Sequence, residues 1–165
     1  MRIAVGSDHR GYNAKDRIIR WLAERSIESI DQGTHNRESV DYPDIAEKVV
    51  ETLINGEAEF GILVCGTGVG MSIVANKFPG IRAAAVHDDV SAEISRRHTN
   101  ANVLCLSADL LGQEMIDRIV SNFVSTSFDG GRHARRLEKI QLIEQRVIPA
   151  EAPPIALPEE APVKQ

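Results

Sequence analysis

Five short apolar runs divide this chain, and longer stretches of helical period separate them. The runs are Ile3–Val5, Ile27–Ile30, Gly61–Cys65, Ile81–Val86 and Val103–Leu106. Apolar runs this short suit buried strands better than helices. Their alternation with helical pattern is the mark of a parallel sheet covered by helices on both faces. Ala14, Ile18, Trp21 and Leu22 fall at i, i+4, i+7 and i+8, on one face of a helix. Ile45, Ala46, Val49, Val50 and Leu53 repeat the pattern after Pro43, a residue suited to a first helical turn. Further helices are expected at Val69–Lys77, Val90–Arg97, Leu111–Val124 and Arg132–Val147. The expected architecture is a three-layer α/β/α, Rossmann-like single domain over residues 1–148, built on a five-stranded parallel sheet.

The 165 residues suffice for one domain with a real core and not for two. From Pro149 the segment PAEAPPIALPEEAPVKQ carries five of the seven prolines, so residues 149–165 are expected to be an extended or disordered tail. A net charge of −5 and the lack of a Lys/Arg run argue against a nucleic-acid partner. The cluster Arg132, Arg135 and Arg136 instead suits a small anion. No apolar stretch reaches the roughly 18 residues needed to cross a bilayer. The first residues, MRIAVGSDHRGYN, turn polar too soon for a signal peptide. Cys65 and Cys105 both lie within apolar runs, and reduced thiols in the cytoplasm are the expectation.

In parallel sheets of this kind ligands bind beyond the carboxyl ends of the strands. That rule directs attention to the residues after strands one, three and four. After strand three comes Cys65-Gly66-Thr67-Gly68-Val69-Gly70 and then a helix. Three glycines let backbone N–H groups converge on one point, and the helix start favours negative charge. The loop is neither a dinucleotide fingerprint, since Met71 stands where glycine is required, nor a P-loop, since no Gly-Lys-Ser/Thr follows. Glycines alone are also compatible with a plain tight turn. Cys65 favours the functional reading, because a thiol at such a junction sits where reactive cysteines are found. Cys105 reads as a small core hydrophobe.

After strand one comes Gly6-Ser7-Asp8-His9-Arg10-Gly11. Asp8 can accept sugar hydroxyls or simply cap the next helix. His9 can donate to a hydroxyl or phosphate. His98 shares a stripe with Val90 and Ile94, which is compatible with a core histidine. Its place at a helix end among Arg96, Arg97, Thr99 and Asn100 also suits a proton shuttle. Arg132 and Arg136 are i, i+4 neighbours with His133 alongside, a match for a phosphate dianion or a solvated basic face.

Taken together these residues resemble the B-type ribose-5-phosphate isomerases, a family that includes allose- and galactose-6-phosphate isomerases. The motifs that carry the similarity are IAVGSDHRGY, DQGT, VDYPDIA, CGTGVGMSIVANKFPGIRAA, NANVL and GGRHARRLEKI, between about Arg2 and Arg146. The resemblance implies that Cys65 is the base moving a proton between C1 and C2 through a cis-enediolate. It implies that Gly66, Thr67, Gly68, Val69 and Gly70 stabilise the oxygen's developing charge. His98 would open the furanose ring, and Asp8, His9, Tyr42 and Asn100 would bind the sugar. Arg132 and Arg136 would grip the phosphate. The family works as dimers, or dimers of dimers, with sites shared between subunits, and needs no metal or organic cofactor.

Two positions depart from the pattern. Thr99 stands where the family usually has Asn, with Asn100 one place later, and Asp109 stands where an Arg often helps bind phosphate. An anion beside a phosphate dianion is unfavourable unless it points away or pairs with Arg132 or Arg136. The departures leave the reaction class in place and bear on the substrate. Ribose 5-phosphate is the first expectation, and another aldose phosphate of six or four carbons is the second. A non-catalytic sugar-phosphate-binding module is disfavoured, because binding requires neither a base nor a ring-opening acid.

Overall fold

The computed structural model describes residues 1–146, so Val147, the expected domain end at 148 and the expected tail at 149–165 lie outside the described residues. The strands are β1 (Arg2–Ser7), β2 (Glu28–Asp31), β3 (Phe60–Cys65), β4 (Ala83–Ala85) and β5 (Val103–Ser107). The helices are α1 (Tyr12–Ala23), α2 (Tyr42–Ile54), α3 (Val69–Ala75), α4 (Asp89–Thr99), α5 (Gln113–Ser125) and α6 (Arg132–Arg146). All strand pairs are parallel, in the order β2-β1-β3-β5-β4.

The three central strands are buried along nearly their whole length, which is why they read as continuous apolar runs. Successive side chains alternate between the two faces. Ile3, Val5, Ile62, Val64, Leu104 and Leu106 pack with α1, α4 and α5 on one side. Ala4, Leu63, Cys65, Val103 and Cys105 pack with α2 and α3 on the other. The expected three-layer sandwich of five parallel strands is therefore present.

Strand β4 is shorter than the expected Ile81–Val86. The Arg82 amide donates to Asn102 Oδ1 (2.7 Å), so a side chain replaces the ladder partner there. On the free edge, the Asn76 side chain donates to the Ala83 carbonyl and accepts from the Ala83 amide (2.9 Å each). A side chain thus covers the exposed polar groups of an edge strand.

The strand order also corrects one expectation about the site. β5, not β4, lies beside β3, so the loops that meet at the carboxyl ends follow strands one, three and five. Cys65 stands level with Ser107 at that end of the sheet.

Candidate active site

Cys65 closes β3 with only 5% of its surface exposed. Its Sγ accepts the Gly68 amide at 3.1 Å. That geometry needs Gly68 in the left-handed region (φ +79°), where a Cβ would also lie 3.0 Å from the Leu106 carbonyl carbon. The Val69 amide donates to Thr67 Oγ1 (3.3 Å), which holds the loop's exposed corner. From the β5 side, Ala108 N donates to the Cys65 carbonyl (2.8 Å) and Asp109 N to the Gly66 carbonyl (3.2 Å). Ser107 Oγ donates to that same Gly66 carbonyl (2.6 Å). The turn that carries the thiol is pinned along its length.

The loop after β1 runs alongside, because the Asp8 amide donates to the Val64 carbonyl (3.1 Å). Asp8 is buried, and its Oδ1 accepts the amides of Arg10 (2.9 Å) and Gly11 (3.0 Å). One carboxylate oxygen therefore caps the turn into α1, while the other makes no such bond. His9 Nδ1 accepts the Val40 amide (3.3 Å), so the neutral ring carries its proton on Nε2 and offers a donor. Tyr42 opens α2, and its ring lies over Gly70, where an added Cβ would come within 2.9 Å of Cε2 and Cζ. Asp8, His9, Tyr42, Cys65 and residues 66–70 thus gather at one end of the sheet.

Asp109 pairs with neither Arg132 nor Arg136. It accepts from Arg10 Nε (2.9 Å) and Nη2 (2.7 Å) on one oxygen, Oδ2. The reason is topological: the loops after β1 and β5 flank the β3 turn, and α6 begins elsewhere.

A second cluster forms where α4 ends and α6 begins. The rings of His98 and His133 stack in parallel, with centroids 4.2 Å apart and planes 8° off. Asp129 completes the group, with donor atoms of all three residues within 4.8 Å of one another. Asp129 pairs with Arg97 through both oxygens (3.2 Å each), which holds its carboxyl below the usual carboxylate range. Burial, then the neighbouring His98, Arg132 and Arg136, pushes His133 below the usual histidine value. Arg132 Nε donates to His133 Nε2 (3.3 Å). No carboxylate among the described residues pairs with Arg132 or Arg136, and both are exposed. A cationic rim with its one acid already engaged suits an anion better than a metal ion.

Two neighbours of His98 serve the local fold. Asn100 ends α4 in the left-handed conformation (φ 45°), its Oδ1 accepting from Arg96 Nη1 (2.9 Å). Thr99 Oγ1 donates back to the Ser95 carbonyl (2.6 Å). The stripe that His98 shares is not core: Val90 is 60% and Ile94 43% exposed.

The two clusters lie at opposite ends of the sheet. α4 ends at Thr99 just before β5 starts at Val103, whereas Cys65 is level with Ser107 at the far end of β5. The length of β5 alone separates them by roughly 15 Å. A single copy therefore joins Cys65 to Asp8, His9 and Tyr42, and His98 to Arg132 and Arg136, without joining the two sets. A cavity of about 290 Å³ beside α6, lined by Ile81, Arg82, Phe128, Leu137 and Glu144, belongs to neither. Sequence reasoning missed Asp129 and the partner of Asp109. Asp129 was findable as the acid just before Gly130–Gly131, while the Arg10 pairing depends on strand order.

No helix among the described residues is long and apolar enough to cross a membrane. Residues 3–140 match the family model described as Ribose/Galactose Isomerase. The chain is 46% identical over 145 residues to ribose-5-phosphate isomerase B of Escherichia coli (strain K12), covering 88% of this chain and 97% of that one. The structure of Clostridium thermocellum ribose-5-phosphate isomerase B matches with a TM-score of 0.87 at 49% identity, over 88% of this chain and 99% of that one. The Mycoplasma genitalium ribose-5-phosphate isomerase B with bound ribulose-5-phosphate matches at 0.83 and 39%, over 87% and 96% of the two chains. With its glycine loop, thiol and arginine pair in place on this fold, the chain belongs to the ribose/galactose isomerase family.

Proposed function

We propose that this protein interconverts D-ribose 5-phosphate and D-ribulose 5-phosphate through a cis-enediolate, with Cys65 as the base. The observation that carries this reading is the Cys65 thiol facing the Gly68 amide within a loop of backbone donors. In the open-chain aldose, Cys65 takes the proton from C2. The C2–H electron pair forms the C1–C2 double bond, and the C1 oxygen takes up negative charge. The Gly66–Gly70 loop with Thr67 stabilises that oxygen, and the charge is worth most where it is held by fixed dipoles. Proton transfer between the oxygens and return of the proton to C1 give the ketose.

Asp8, His9 and Tyr42 bind the sugar beside Cys65, His9 through its Nε2–H. His98 opens the ring with Asn100 nearby, and Arg132 and Arg136 take the phosphate. Because these last four stand at the other end of the sheet, a complete site takes its Cys65 half from one copy and its His98 half from another. A homodimer or dimer of dimers is the assembly this requires. The exposed Val90 and Ile94 beside His98, and Val69 and Ile73 on α3, support such a contact. The two unpaired cysteines suit the reducing cytoplasm.

A second substrate reading, a six-carbon aldose phosphate, is favoured by a family description that names galactose. Ranking aldose phosphates by kcat/KM decides between them. Ribose 5-phosphate is expected first, and a higher value for a six-carbon sugar overturns that choice.

A further inference from the structure

The ion pair of Arg10 and Asp109 joins the loops after β1 and β5 across the β3 turn that lies between them. Both side chains bear on Gly66, the residue after Cys65. A Cβ added there would lie 2.9 Å from Asp109 Oδ2 and 3.2 Å from Arg10 Nε. At its β5 end the strap is anchored by the Asp109 amide on the Gly66 carbonyl (3.2 Å). At its β1 end it is anchored by the Arg10 amide on Asp8 Oδ1 (2.9 Å). One connected unit therefore sets the spacing between the Asp8–His9 loop and the thiol turn.

We propose that the Arg10–Asp109 strap is a specificity element that sets the length of the aldose phosphate admitted beside Cys65. The inference rests on the isomerase reading above. The family description covers a five-carbon and a six-carbon sugar, so one reaction serves two chain lengths and something local must choose between them. The strap is suited to that choice. Its two charges satisfy each other, so where a lone Arg would help grip phosphate the pair presents a closed wall. With C1 and C2 held at Cys65 and the phosphate held elsewhere, a wall of fixed position leaves room for one length of chain. The side chains remain 57% and 37% exposed, so the pair contributes little to folding.

The test measures kcat/KM for ribose 5-phosphate and for a six-carbon aldose 6-phosphate. The proteins are the full chain, Asp109→Ala, Arg10→Ala and the exchanged double variant Arg10→Asp with Asp109→Arg. Each single variant is expected to lower the five-carbon to six-carbon ratio about tenfold, the scale on which a pocket discriminates one carbon unit. The exchanged variant restores the ratio, and Tm barely moves. An unchanged ratio, or equal losses on both sugars that exchange does not restore, overturns the proposal. Asp109→Asn, which removes the charge at nearly constant shape, keeps the comparison available if an alanine variant does not fold. If the unaltered protein turns over neither sugar phosphate, the isomerase reading itself fails, an outcome distinct from an unchanged ratio.

Discussion

Cys65 and His98 occupy opposite ends of the same parallel sheet, one at the carboxyl end of β3 and the other where α4 hands over to β5. If both act on one substrate, they act from different copies. Cys65→Ala and His98→Asn should each be inactive alone. Mixed and reassembled, they should regain roughly a quarter of wild-type activity, since half the dimers are mixed and each has one intact site. The measurement is isomerase activity against mixing ratio. A mixture as inactive as its components contradicts the shared site.

Gly68 holds a conformation that other residues rarely adopt, with φ +79° and the Leu106 carbonyl carbon 3.0 Å from any added Cβ. Gly68→Ala should cost about 1–3 kcal/mol of stability by denaturant titration. It should also lower kcat about 100-fold, because the amide that faces Cys65 moves. Retention of full kcat would separate this amide from the chemistry.

The second cysteine gives a chemical contrast. Burial, then the nearby Cys65, pushes the fully buried Cys105 thiol up. Alkylation at neutral pH should therefore label Cys65 first, with loss of activity in step with one adduct per chain by mass spectrometry. Equal labelling of both thiols in folded protein contradicts this.

His133 sits below its ordinary value of 6.5, chiefly through burial and the adjoining His98. As pH falls below 6.5, the unfolded chain takes a proton at this position more readily than the folded one. The stability this residue contributes is thus present above that pH and lost as pH falls toward the folded value. Denaturation midpoints should drop between pH 7.5 and about 5.5, and the drop should be smaller in His133→Gln. Parallel pH curves for the two proteins contradict the assignment.

The sequence revealed some parts of this protein more readily than others, for physical reasons. β1, β3 and β5 were legible because strands buried on both faces read as unbroken apolar runs. β4 was overdrawn because Ile81 and Arg82 look strand-like while Asn102 takes the Arg82 amide. Cys65 and its glycine loop were legible as a local motif. Which end of the sheet His98 reaches was not, since periodicity carries no strand order. The Val90–Ile94–His98 stripe has the same spacing whether its own sheet or another chain covers it, and here its own sheet does not. Asp109 finds Arg10 across 99 residues, a pairing set by topology alone.

The central claim is that Cys65 removes the C2 proton of ribose 5-phosphate. Its most direct test is steady-state conversion to ribulose 5-phosphate by the unaltered protein and by Cys65→Ala. The account predicts turnover in the first and a fall in kcat of about 100- to 10,000-fold in the second, with a much smaller change in KM. A Cys65→Ala protein that keeps kcat within a few-fold would contradict it.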